Sequence, residues 1–217
     1  MAKQQQSNIP KQISNTLNSV NKTIASNQSL KININSNIIL EKDDTLNLPS
    51  ISSLFKYEDM RGASDSFALK KKHHNEKILN QITNQNIDIK EEIIFLERIR
   101  YEYLGSKNFL GIKRNIQSKW IKRLESIKLK KQSDLLDLLL FTLTHFFLDA
   151  SNGKIWTKKN EYIKKISTKD NHIKIYEYLS NLIEFIDNQR LFAKNSVELL
   201  RLIFPKQQDD NKPEDKN

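Results

Sequence analysis

The chain has 217 residues, with 36 Lys and Arg against 26 Asp and Glu, a formal net charge of +10 and a sequence pI near 9.5. A chain of this length makes one domain, or at most two, and its 37% hydrophobic residues can bury a core, while four Gly and four Pro are too few for many short strands, so a mostly helical protein is expected. Cys is absent, which excludes a disulfide framework, Cys-ligated zinc, iron-sulfur clusters and thiolate catalysis; the abundance of Lys, Ile and Asn is the drift expected of an AT-rich coding sequence.

Residues 1–8 are polar, have no apolar run behind Lys3, and read as a disordered start of a cytoplasmic protein. Ser7 as N-cap, Pro10 in the first turn and Ile13, Leu17, Val20 and Ile24 at helical spacing then predict an amphipathic helix. Leu30, Ile32 and Ile34 alternate with Lys31, Asn33 and Asn35, and Leu46-Asn47-Leu48-Pro49 repeats the alternation after the acidic break Glu41 to Asp44, so the two pair as a ribbon. From about Ser53 the pattern is helical, with breaks near Asn84 to Asn86, Gly105, Gly111, Ser133, Asn152-Gly153 and Lys169 to Asn171. The run Leu135 to Leu148 is interrupted by Asp137 and His145 and is too short for a bilayer of about 30 Å, so it reads as a core helix. The last pattern, Ile175, Leu179, Leu182, Ile183 and Ile186, then Phe192, Leu199, Leu200 and Ile203, is bent or divided around Asp187-Asn188-Gln189. The predicted architecture is a mostly α multi-helix bundle with a small two-stranded β ribbon near the N-terminus. It forms a single helical domain over 9–204, followed by a disordered polar tail over 205–217.

No Walker A, G-x-G-x-x-G or G-x-S-x-G sequence occurs, so the usual ATP, dinucleotide and serine-hydrolase sites have no support. His73 and His74 would point about 100° apart on an unbroken helix and do not readily face one metal. His74 reads as a structural or hydrogen-bonding residue, with metal binding or proton transfer as the alternative; His145 reads as a core histidine. Asp149-Ala150-Ser151-Asn152-Gly153 begins like a metal-ion-dependent adhesion site, but Gly153 stands where a second hydroxyl ligand is needed, and a helix C-cap is the plainer reading. No metal site and no cofactor bound by the chain itself are expected.

Lys107 to Lys131 holds nine basic residues against the single acid Glu125, a net +8. Its apolar residues Ile112, Ile116, Trp120, Leu124 and Ile127 form one helical stripe, which leaves Lys113, Arg114, Lys122, Arg123, Lys128, Lys130 and Lys131 as a basic patch toward solvent. Such a patch is either a solvated face enriched by codon bias or a surface for an acidic partner, nucleic acid or anionic lipid.

Three blocks follow one another in a telling order. They are Arg61-Gly62-Ala63-Ser64-Asp65-Ser66-Phe67-Ala68-Leu69 with His74; Glu97-Arg98-Ile99-Arg100-Tyr101-Glu102-Tyr103-Leu104-Gly105 with Gly111 and Asn115; and Asp187-Asn188-Gln189-Arg190-Leu191-Phe192-Ala193. Together they resemble the N-terminal region of CobT, a subunit of the aerobic ATP-dependent cobaltochelatase of cobalamin biosynthesis. The resemblance implies a cytoplasmic complex in which a large subunit binds the corrinoid, an AAA+ subunit hydrolyses ATP, and CobT joins them while cobalt(II) is inserted into hydrogenobyrinic acid a,c-diamide. Cobalt and ATP with magnesium then enter at the level of the complex, and no catalytic motif is carried over to this chain. CobT proteins continue through an acidic linker into a von Willebrand A-type domain. Only Asp209 to Asp215 is similar to that linker, so a truncated, split or degenerate relative is expected.

Read as side chains, the matched residues form charge pairs along single helices: Arg61 with Asp65, Arg98 with Glu102, and Glu97 with Arg100. If Arg61, Asp65, His74, Glu97, Arg100, Glu102, Gln189 and Arg190 meet between helices, they form a polar cluster that either registers the helices or, through Arg61 and Arg100, offers an anion or carboxylate site. Gly62, Gly105 and Gly111 read as points of close helix approach or helix ends. Arg190, next to Gln189, reads as capping another helix or contacting a partner.

Overall fold

The computed structural model describes residues 8–53, 55–126, 174, 177, 178 and 181–204. The predicted disordered ends, apart from Asn8, lie outside them, as do Lys128, Lys130, Lys131, His145, His172 and the 149–153 segment. Helix α1 spans Asn8–Ala25 and buries Leu17, Ile24 and the polar Asn21. It ends on Ser26, whose φ of 53° is left-handed and lets Asn27 N donate back to the Lys22 carbonyl at 3.1 Å.

The ribbon is part of a three-stranded mixed sheet, with β1 (Lys31–Ser36), β2 (Leu40–Lys42) and β3 (Thr45–Pro49) in the order β1-β3-β2. The two predicted strands do pair, as parallel neighbours, with Ile32 opposite Leu46 and Ile34 opposite Leu48. The third strand is antiparallel to β3 and joined to it by the turn Asp43-Asp44. It was hidden in the sequence because all three of its residues are exposed, which removes the apolar alternation that marks a half-buried strand. One face of the sheet carries Ile32, Leu46 and Leu48 into the core, and ion pairs from Lys70 to Glu41 (2.9 Å) and Lys71 to Asp44 (3.0 Å) fasten its acidic turn to the next helix.

That helix, α2 (Tyr57–His73), starts where the Asp59 carboxylate accepts the Lys56 N–H at 2.8 Å. Helix α3 (Glu76–Asn84) follows at once, because Asn75 caps it through bonds from Lys77 N and Ile78 N. A 3-10 turn at Ile87–Ile89 leads into α4 (Lys90–Asn108), then α5 (Leu110–Ser126), and after 181–188 the Asn188-capped helix α6 (Gln189–Ile203). The predicted break at Asn84 to Asn86 and the division before Gln189 are found. The break predicted near Gly111 is found two residues earlier, at Phe109, whereas Gly105 is no break and lies inside α4.

Two apolar clusters flank α4. One gathers α1, β1, β3, α2 and α5 around Leu17, Ile32, Leu46, Met60, Phe67, Ile116 and Trp120, with Tyr101 reaching in from α4. The other packs Ile93, Leu96 and Ile99 of α4 against α3, α6 and the residues Leu182 and Ile186. Phe95 touches both. A helix between two cores is covered nearly all round, so the polar side chains that α4 buries must find partners inside.

Candidate functional site

On the side of α4 toward the second core, Arg100 is 2% exposed and its donors are spent on protein. Nε donates to Glu97 Oε2 at 2.8 Å and Nη2 to Glu97 Oε1 at 2.9 Å. Nη2 also donates to the His73 carbonyl, and Nη1 to the Ile186 carbonyl at 3.2 Å. One guanidinium thus ties the C-terminal end of α2 and the segment before α6 to the middle of α4.

His74 sits beside this fork with its side chain 6% exposed. Nδ1 lies 2.9 Å from Glu97 Oε1, and since the carboxylate accepts, Nδ1 is the donor; Nε2 faces Glu76 Oε2 at 3.0 Å. Gln189, the first residue of α6, pairs with the Asn75 backbone, accepting from its N–H at 2.8 Å and donating to its carbonyl at 3.0 Å, with its Nε2 3.2 Å from His74 Nδ1. That two-way bond fixes the orientation of the amide. Burial pushes the neighbouring His73 imidazole below its usual value, and Lys72 and Arg100 act in the same direction.

On the other side of α4 stands a second group. Glu102, 1% exposed, accepts from Ser66 Oγ (2.5 Å), Lys119 Nζ (2.7 Å) and Trp120 Nε1 (2.6 Å). Burial lowers the Lys119 ammonium while the Glu102 charge raises it, and burial lifts the Tyr101 phenol far above its ordinary value. Asp65 is fully buried; Asn115 Nδ2 donates to its Oδ2 at 2.7 Å, and Arg61 Nη2 lies 3.4 Å from its Oδ1, which receives no aligned hydrogen bond. Burial raises the Asp65 carboxyl, and Asn115 and Arg61 offset part of that rise. Asn21 and Ser64 complete the layer by exchanging bonds of 2.9 Å between α1 and α2.

The predicted cluster is therefore two clusters on opposite sides of α4. His74, Glu97, Arg100 and Gln189 meet in one, and Arg61, Asp65 and Glu102 lie in the other. Arg61 and Arg100 bind different carboxylates and do not combine into one anion site. Arg190 is exposed and, among the described residues, reaches only Gln81 at 3.2 Å. Gly62 and Gly105 are sites of close approach: a Cβ would meet the Asn115 carbonyl and Lys119 Cβ at 3.1 Å from the first, and Leu69 at 1.9 Å from the second, whereas around Gly111 there is open space.

Of the basic patch, Lys113 is half-buried and Arg114 exposed on α5; the side chains of Lys122 and Arg123 lie outside what the structure describes. Among the described residues no group of three His, Asp or Glu is placed to hold a metal ion, and no helix is long and apolar enough to cross a membrane. Asn21, Asn75, Ser66, Lys119 and Trp120 are cluster members that sequence reasoning passed over. Asn21 had a signal, as a polar residue on the stripe of Leu17 and Ile24; so had Asn75, as an N-cap ahead of Glu76.

Many of the residues of these clusters belong to the three sequence blocks, which the fold brings against one another: Ser66 of the first meets Glu102 of the second, and Gln189 of the third meets His74. Comparison with known proteins gives no match among curated proteins or solved structures. A family model, cobalamin biosynthesis protein CobT, matches residues 10–217. The chain belongs to the CobT family of cobalamin biosynthesis proteins.

Proposed function

We propose that this chain is a binding and assembly module of a cytoplasmic, cobaltochelatase-type complex, joining its large corrinoid-binding subunit to its AAA+ subunit while cobalt(II) is inserted into hydrogenobyrinic acid a,c-diamide. One observation carries the reading: the polar residues that bear the family resemblance are consumed in bonds between helices, Arg100 above all, so their work is to hold α2, α4 and α6 in fixed relation. A rigid helical frame suits a part that positions others, and the metal and the nucleotide are handled by its partners.

The test is affinity capture with the tagged full chain from cells that contain both partner subunits. Enrichment of either supports the assembly role; enrichment of neither removes it. Cobalt insertion by the purified chain alone would overturn the assignment of the chemistry to its partners.

A further inference from the structure

The two edges of the small sheet are finished differently. At β1 the outward main-chain groups of Ile32 are taken by α1: Ile32 N donates to Asn18 Oδ1 at 2.7 Å, and its carbonyl accepts from Ser14 Oγ at 2.6 Å and Asn18 Nδ2 at 3.1 Å. Strand β2 forms the opposite edge, and it pairs only with β3. Lys42 and Thr45 close the two-residue turn as a hydrogen-bonded pair, so the next pair, Glu41 with Leu46, is the non-bonded kind, and the Glu41 N–H and C=O point away from the sheet. Among the described residues nothing bonds to them. The Glu41 side chain is drawn toward α2 by Lys70 at 2.9 Å, which leaves this main-chain edge uncovered.

The end of the sheet at which β2 begins carries an apolar ledge. Ile38, Ile39 and Leu40 are 64%, 49% and 49% exposed, and Ile51 is 48% exposed. Because β1 and β3 are parallel with Ser36 beside Pro49, the chain leaves both strands at the same end of the sheet, and Ile38 and Ile51 each follow two residues later. Large aliphatic side chains gathered beside an open strand edge mark an interaction surface.

We propose that this edge receives an extended segment of a partner protein, with apolar residues at alternate positions, which adds to β2 as a fourth strand. An extended main chain can pair with the outward N–H and C=O of Glu41, and alternating apolar side chains on it would cover the ledge, which a single side-chain amide such as Asn18 at β1 would not. A second copy of this chain fits less well, because the two-fold pairing centred on β2 sets Glu41 against Glu41. The proposal rests on the assembly role above and names the surface used for it.

Proline separates edge chemistry from fold. Glu41→Pro removes an N–H that points away from the sheet, and proline is tolerated at such edge positions; Glu41→Ala loses the carboxylate but keeps the N–H. The full-length wild type, both variants, and Ile38→Asn combined with Ile39→Asn are checked by circular dichroism and thermal midpoint, then titrated with the purified large and AAA+ subunits. The expected result is that Glu41→Ala binds like wild type, while Glu41→Pro and the double Asn variant each lose about tenfold or more in affinity for one subunit. The Glu41 amide should also become protected from hydrogen exchange in that complex. Undiminished binding by a folded Glu41→Pro variant, or exchange protection that appears as the chain alone is concentrated, would overturn the proposal. Wild type that binds neither subunit removes the assembly role, and this proposal with it.

Discussion

Gly105→Ala tests whether α2 and α4 lie as close as the structure has them. A Cβ at 105 falls 1.9 Å from Leu69 Cδ2, 2.6 Å from Cδ1 and 2.7 Å from Cγ. Since Cγ itself is too near, turning the outer methyls cannot relieve the contact; Leu69, 1% exposed, must change its first torsion or the helices must part. Overpacking of this kind costs about 3 kcal/mol, and the better helix propensity of Ala returns about 1 kcal/mol, for a net loss of about 2 kcal/mol. The second half of the experiment is Leu69→Ala, which alone costs about 2–5 kcal/mol through the cavity it leaves. In that background the obstructing methyls are gone, so Gly105→Ala should change sign and stabilise by about 1 kcal/mol. Urea denaturation of the four proteins, followed by far-ultraviolet circular dichroism, measures the cycle. Equal destabilisation by Gly105→Ala with and without the Leu69 side chain would refute the helix contact.

Arg100→Met strips the buried Glu97 of its cation and leaves the His73 and Ile186 carbonyls without a donor, so a loss of about 3–5 kcal/mol is expected in thermal denaturation, much of it recovered by adding Glu97→Gln. For Asp65 the folded carboxyl is raised by burial, so the native state binds more protons than the unfolded chain and stability falls as pH climbs from the ordinary value of 3.8 through the raised one. Asp65→Asn should therefore gain on wild type across that window and hold a constant advantage above it; denaturant midpoints that diverge in the opposite direction would contradict the burial argument. Ser26→Gly relieves a left-handed residue at the end of α1 and should raise stability by about 1 kcal/mol, read as an increase in the urea midpoint.

The parts of this fold that could be read in the sequence are those whose burial is periodic. Leu17 and Ile24 on α1, Ile32 and Leu46 in the sheet, and Ile112, Ile116 and Trp120 on α5 repeat at the spacing of their element, and all are buried as that spacing predicts. Strand β2 has no buried residue and therefore no period, and the boundary between α2 and α3 rests on Asn75 alone, whose capping bonds leave only a weak mark in the sequence. Gly105 was ambiguous for a related reason. Glycine is written the same way whether it ends a helix or admits a neighbouring leucine, and the choice lies with Leu69, 36 positions earlier and on another helix.

The polar residues show the same limit more sharply. Helical spacing identifies which charges share a face, and it correctly placed Glu97 with Arg100 and Arg61 with Asp65. It also placed Glu102 with Arg98, yet Glu102 spends its oxygens on Ser66, Lys119 and Trp120. An exposed pair at this spacing contributes only a few tenths of a kcal/mol, whereas a buried carboxylate without partners costs several. When a helix is covered on both sides, as α4 is, the larger quantity decides, and carboxylates take whatever donors the facing helices supply. The same inequality separates Arg100 from an anion-binding arginine. Releasing it to a ligand would strand Glu97 and two carbonyls inside the protein, a cost that a single carboxylate of a substrate would not repay. Recognition of a partner is thus expected where main-chain groups and apolar side chains still face outward, at the β2 edge, and not among the family's shared charges.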